Sequence, residues 1–324
     1  MNIIEFSDKY KNEAACVADL KSRRDLQVKI CPHCGCTEFY WKGDKVMYEC
    51  KKCHYRMSLK KGTIMENSNL PIRTWYMAIH LMTATKQSMS ACELQRQLGL
   101  KSYETAHDLM HKLRDAMGQR EGLYKLNEEV ELDEMFFDVA VAADEELKRG
   151  AGSQAKAKVV VMAGVRTPTE DERRLYKSKN RGSRVRKAVN YIKMKVVSSL
   201  HAEEIENCAT KGISHTACVV TDGHVSHSQF GKIFAQHEAY SESRYGVRAI
   251  VTSKLPWVHL VAKRCKESIA GIHEKVTSLN LQRYLDEFCY KFNRRRFEDG
   301  VFDRLIVACI TTSPRIGFRK YAFV

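Results

Sequence analysis

The chain has 324 residues, with 54 Lys and Arg against 39 Asp and Glu, a formal charge of +15. At that length, with 44% hydrophobic and 29% charged residues, it is a folded protein of two or three domains rather than a disordered one. Apolar runs such as Val159–Gly164 are too short for a membrane span, and the opening MNIIEFSDKY lacks a secretion signal. A cytoplasmic protein with a polyanionic partner, most commonly nucleic acid, is therefore expected.

Residues 1–29 are expected to form a helical segment, and residues 30–60 a zinc ribbon. Of 12 cysteines, four form one tight cluster: Cys31 and Cys34 in CPHC, Cys50 and Cys53 in CKKC. The spacer Gly35–Glu49 is fifteen residues. Two Cys-x-x-Cys turns at that separation can place four thiolates around one structural Zn²⁺ and leave no open position for catalysis. Pro32 and Gly35 suit the first tight turn. Aromatic and β-branched residues around Gly43-Asp44 suit a short hairpin. The alternative is a coincidence of core cysteines. Cys36 is a competing ligand, one residue beyond the turn. The scattered cysteines read as small core residues in a reducing compartment.

Residues 70–120 read as a helix-turn-helix DNA-binding segment. Pro71 opens a helical pattern in which Ile72, Trp75, Tyr76 and Ile79 share a face. Ala91, Leu94 and Leu98 make a short helix that stops at Gly99. Ser102 caps the next, with Ala106, Leu109, Met110, Leu113 and Met117 facing inward. The second helix would then offer Tyr103, Glu104, His107, His111, Lys112 and Arg114 on its outer face. An ordinary helical hairpin is the competing interpretation.

Residues 126–297 read as an α/β catalytic domain with a mixed sheet. Val130 and Leu132 alternate with Glu131 and Asp133, which is strand periodicity. Lys158–Val165 is a continuous apolar strand of the kind covered on both faces. Tyr191–Ser199 is a third strand, HAEEIENCATKG a helix, and Ala217–His224 a fourth strand ending in Asp222-Gly223. This order is that of a ribonuclease-H-like domain, in which Asp133 and Asp222 lie side by side. A solvent carboxylate at a strand end is the ordinary role for either aspartate alone. The pair in this setting points to Mg²⁺ or Mn²⁺ and phosphoryl transfer.

The sequence resembles the zinc-ribbon transposases of the insertion sequence 1595 family. The matching pieces run in order: CPHCG…CKKC, KGTIMENSNLPIRTW, VELDEMFF, VVTDGH, LPWVH and LQRYLDEFCYKFNRR. The resemblance implies a ribonuclease-H-like domain with a DD(N/E) triad. It also implies double-stranded DNA partners (transposon ends and target) and two or more subunits on paired ends. By position, Asp133 and Asp222 match the first two carboxylates. The family's Asn or Glu past the PWVH motif falls on Arg264, which offers no acceptor. Lys266 matches a lysine often found two residues later. Glu267, one turn along a helix, is the expected substitute ligand. A decayed triad, hence a DNA-binding protein without catalysis, is the alternative. A nuclease that cuts without joining is a third.

Arg173, Arg174, Lys177, Lys179, Arg181, Arg184, Arg186 and Lys187 form a basic stretch between two strands, expected as an extended DNA-contacting loop. Asn293-Arg294-Arg295-Arg296 is expected to join that surface. The aromatic stripe of the preceding helix is expected in the core. No His-x-x-x-His pair is expected to make a second zinc site, and residues 298–324 are expected to be a C-terminal tail.

Overall fold

The computed structural model describes residues 1–313 except 28, 142–152, 180–186, 242–243, 245 and 298–299, with 175–179, 249 and 252 described as backbone alone. The chain divides into two compact units, Met1–Arg120 with the segment from Arg296, and Glu121–Arg295.

In the first unit, α1 (Ile3–Lys9) and α2 (Glu13–Asp25) each begin at an asparagine whose side chain accepts N–H bonds of the first turn. Strands β1 (Phe39–Lys42), β2 (Met47–Cys50) and β3 (Arg56–Ser58) form an antiparallel sheet in chain order. Their first turn falls at Gly43–Lys45, where the sequence places it. Helix α3 (Ile72–Ala84) follows Pro71 and buries Trp75, Tyr76 and Ile79. In α4 (Ala91–Leu98), Ser90 Oγ accepts the Glu93 N–H, and Gly99 ends the helix at φ +63°. Helix α5 (Tyr103–Gly122) starts four residues later.

The second unit is built on β4 (Glu129–Ala140), β5 (Lys156–Arg166), α6 (Glu170–Lys179), β6 (Ala188–Val197), α7 (Ala202–Gly212), β7 (Cys218–Thr221), α8 (Phe230–Ile233), β8 (Gln236–Ala239), α9 (Pro256–His273), β9 (Val276–Thr277) and α10 (Ser278–Asn293). The sheet order is β6-β5-β4-β7-β8. Strands β4, β5 and β6 are antiparallel, and β7 and β8 run parallel to β4. The expected chain order of three strands, a helix and a fourth strand is present, with the fourth beside the first as expected; β8 and β9 are additional. Helices cover both faces. One core joins Phe137, Val159, Val161 and Met194 to α9 and α10; the other joins Val130, Leu132, Val160 and Met162 to α7 and Phe230. Strand β5 feeds both, which explains its unbroken apolar run.

The edge strand β6 is closed by side chains of α10. Gln282 accepts the Val196 N–H (2.8 Å) and donates to Met194 O (3.1 Å). Asn293 does the same for Ile192 (2.8 and 3.0 Å). An uncovered edge would invite pairing with another chain.

The final helix, α11 (Val301–Thr311), belongs to the first unit. The expected tail is therefore structured over these residues. Phe302 stacks edge-on against Phe6 and Tyr76, and Asp303 pairs with Arg23. Apolar residues at helical spacing (Phe302, Leu305, Ile306, Cys309) are the signal for this helix.

Candidate active site and metal centre

In the ribbon, the ligand atoms of Cys31, Cys34, Cys50 and Cys53 all lie within 4.8 Å of one another. Cys31 and Cys53 sulfurs are 3.5 Å apart, as are those of Cys34 and Cys50. A tetrahedral Zn–S₄ centre needs sulfur separations of about 3.8 Å. The two turns repeat one geometry. Gly35 N–H donates to Cys31 O (2.9 Å) and His54 N–H to Cys50 O (3.0 Å). Gly35 (φ +70°) and His54 (φ +57°) occupy equivalent left-handed positions. Glycine at the first site fits freely; histidine at the second carries the steric cost. Cys36 lies outside the cluster, its sulfur accepting the Glu38 N–H at 3.4 Å.

The carboxylate site lies where β4 loses its neighbour. Strand β7 pairs with β4 over Glu129–Glu131, and β9 pairs over Val139–Ala140. Asp133 stands in the interval between them. Continuing the β4–β7 register (Glu131 opposite Val220) brings Asp133 level with Asp222. Burial pushes the Asp133 carboxyl up to about 7, and the nearby Asp222 and Glu134 charges add to the rise. Its Oδ1 accepts the Glu134 N–H (2.8 Å), and Oδ2 lies 3.2 Å from His259 Nε2 on α9. Burial holds His259 below the usual imidazole range.

Alternation along β4 sends Glu134 to the other face. There its Oε1 meets Nε2 of the fully buried His227 at 2.8 Å. His227 Nδ1 is 3.3 Å from Asp222 Oδ1. Burial opposes charge on His227, but a carboxylate at each nitrogen raises it to about 9. The His227 and His224 contacts in turn outweigh burial and hold Asp222 below the usual carboxylate range.

Glu131, on the Asp133 face, is 2% exposed. Its Oε2 accepts the N–H groups of Trp257 (2.8 Å) and Val258 (3.0 Å), so β4 caps the start of α9. Burial raises Glu131 to about 7 despite these bonds.

Residues 125–293 match the ISXO2-like transposase domain, over half of the chain. The chain belongs to this family of transposases. The resemblance drawn from its motifs is thus borne out. No curated protein matches the sequence. Among solved structures, the Mos1 mariner paired end complex with Mn is similar at 13% identity, over 74% of this chain and 79% of that one, with a TM-score of 0.27.

The transposase brings together only some of the residues its sequence singles out. Asp133 and Asp222 stand level on neighbouring strands, whereas Glu267 is turned to solvent. Its side chain is 62% exposed and lies 3.9 Å from Lys263. Arg264 is exposed on the same helix. Lys266 places Nζ 5.1 Å from the centre of the Phe137 ring. The expected outer face of α5 is corrected. His111 and Arg114 are buried, and Lys112 is partly covered. The helix is enclosed around more of its circumference than one apolar stripe requires. His107 and His111, one turn apart, have Nε2 atoms 2.9 Å apart. Among the described residues, the four ribbon cysteines are the one group of three or more whose ligand atoms all lie within 4.8 Å of one another.

The basic stretch is corrected in part. Arg173, Arg174, Lys177 and Lys179 lie on helix α6 rather than in a loop, and Arg173 and Arg174 are exposed. Arg181, Arg184 and Arg186 lie outside the described residues. Lys187 pairs with Glu129. Of the Asn293–Arg296 run, Asn293 and Arg294 are buried, Arg295 is half-buried and Arg296 alone is exposed. Asn293 Nδ2 and Arg294 both donate to Glu121, and Arg295 donates to Val189 and Asn190 carbonyls. Of the scattered cysteines, Cys16, Cys208, Cys265, Cys289 and Cys309 are buried, but Cys92 is exposed. No helix among the described residues is long and apolar enough to cross a membrane.

Proposed function

We propose that this transposase binds the terminal inverted repeats of an insertion sequence and carries out metal-dependent strand cleavage and strand transfer. The observation that carries this reading is the strand register that sets Asp133, within β4, level with Asp222, the residue just past the end of the parallel strand β7, close enough for the Asp222 charge to raise Asp133. Asp222 is engaged through Oδ1, so Oδ2 would be the oxygen to hold a cation, and carboxylate oxygens suit Mg²⁺ or Mn²⁺. Bound there, such ions would supply Lewis acidity to the attacking and leaving oxygens of an in-line phosphoryl transfer. Asp133 and Asp222 would hold them, and His259 would steady the Asp133 carboxylate.

Cys31, Cys34, Cys50 and Cys53 would hold a structural Zn²⁺. Helices α4 and α5 would serve as a helix-turn-helix, with His107 and Lys112 nearer its surface than His111. Arg173 and Arg174, exposed on α6, would meet the phosphate backbone, and Lys177, Lys179 and Lys187 of the same basic stretch would add to it. Paired ends call for a homo-oligomer. The test is Mg²⁺-dependent nicking and joining of the DNA flanking the gene, wild type beside Asp222→Asn. Cutting by both proteins, or by neither, would defeat the reading. Helix α9 turns a histidine rather than a third carboxylate toward Asp133. That favours, as the second reading, a transposase descendant that binds the ends without cutting; it predicts retained binding and no nicking under Mg²⁺ or Mn²⁺.

A further inference from the structure

We propose that His227 is a positioning residue that locks Asp222 for metal binding by tying it to β4 through Glu134. This rests on the reading of Asp133 and Asp222 as the cation-holding pair.

The contact joins the two strands that carry that pair, on the sheet face away from α9. Glu134 directly follows Asp133, so β4 alternation points it away from the carboxylate pair. Its Oε1 is held by His227 Nε2 at 2.8 Å, which makes Glu134 an anchor rather than a ligand. The ring is fully buried, and Phe230 packs against it with centroids 5.1 Å apart, so it has no room to turn. Its other nitrogen sits 3.3 Å from Asp222 Oδ1, a charge contact rather than an aligned hydrogen bond. That same oxygen accepts the His224 N–H at 3.0 Å. Asp222 follows the last residue of β7, ahead of Gly223 at φ +77°, where the backbone alone does not fix a side chain. The His224 N–H and the His227 charge both act on Oδ1, which biases the carboxylate's rotation and leaves Oδ2 for a cation shared with Asp133. Partners of this kind behind a ligand typically change metal affinity 10–100-fold when removed.

The experiment titrates the full-length protein with Mn²⁺ alone and follows loss of the free-ion EPR signal, with the melting temperature recorded in parallel. His227→Ala should weaken Mn²⁺ binding about tenfold or more. His227→Gln, which keeps an N–H donor for Asp222, should recover most of that loss. Glu134→Gln, which keeps an acceptor for His227, should bind far better than Asp222→Asn. If His227→Ala does not fold, the other two variants decide. Unchanged Mn²⁺ affinity in His227→Ala overturns the proposal. So does a loss in Glu134→Gln as deep as that in Asp222→Asn, because Glu134 would then be a ligand. Absence of a wild-type Mn²⁺ site sensitive to Asp222→Asn overturns the underlying metal reading instead, and the proposal with it.

Discussion

Replacing Asp133 by Asn should stabilise the protein in the absence of added divalent cations while removing its cation site. Asn keeps the size and the acceptor for the Glu134 N–H, and removes the buried charge. Asp133 is raised from 3.8 to about 7, chiefly by burial. Because the folded pKa lies above the unfolded one, the folded state prefers the protonated acid. Wild-type stability is therefore lost as pH climbs from about 4 to about 7, and the loss is complete above that. The full interval corresponds to roughly 4 kcal/mol. Side-chain relaxation and the remaining 14% exposure lower this; about 2 kcal/mol is expected at pH 8. For a unit of this size that is a rise of ~4–8 °C in melting temperature. The assay is calorimetry at pH 4 and pH 8 without chelator, which leaves the four-thiolate centre undisturbed. The variant should melt higher at pH 8 and with the wild type at pH 4. Added Mn²⁺ should raise the wild type alone. An Asp133→Asn protein that melts at or below the wild type at pH 8 would refute the claim that the fold holds this carboxylate at a cost.

Further outcomes follow from the same geometry. Asp222→Asn should lower end cleavage by roughly a thousandfold, the scale for losing one group that stabilises the transition state, whereas Glu267→Gln should cut near the wild-type rate in the same gel assay. Cys34→Ala should lose one equivalent of zinc by atomic absorption and the ribbon's protease resistance, because a segment this small draws its folding energy from the metal. Reversing Arg173 and Arg174 to Glu should flatten the salt dependence of DNA binding by about two in log–log slope. Arg294→Ala should leave that slope unchanged but cost about 3–5 kcal/mol in urea unfolding, since it strands the buried Glu121 charge.

What could be read from sequence follows from how local each signal is. The Cys-x-x-Cys spacing, the helix stop at Gly99 and the alternation around Asp133 are short-range, and the structure carries each of them. The cap at Ser90 is read from the structure alone. The placement of Asp222 beside Asp133 also came from strand order, which a chain of clear strands restricts strongly. The Arg294 and Arg295 positions did not. A run of cations after a helix reads as surface when its acceptors are Glu121, Val189 and Asn190, more than a hundred residues away. His227 is similar. Its partner Glu134 is 93 residues distant, and a histidine in a Gly-His-Val-Ser-His turn carries no local mark of burial. The available signal was two acidic residues in succession on an alternating strand. One of them must face away from Asp222, and a buried acid there needs a donor.

The phase of α9 explains why the expected third ligand is not at hand. Glu131 grips the N–H groups of Trp257 and Val258, so the helix cannot rotate without breaking two hydrogen bonds from a buried carboxylate. That grip sets His259 against Asp133. With about 100° per residue, Lys266 comes back to within about 20° of His259, Glu267 stands about 80° away and Arg264 about 140°. The buried stripe of Val258, Val261, Ala262 and Cys265 pins the same phase from the core side. Moving Glu267 to the pair would require turning α9 by most of a right angle, which would expose that stripe and release Glu131. A third metal-binding group from this helix would therefore have to stand near positions 259, 263 or 266, and the side chains there are a histidine and two lysines. On the proposed reading, a cation here would rest on the two aspartates alone, with His259 of the helix against Asp133.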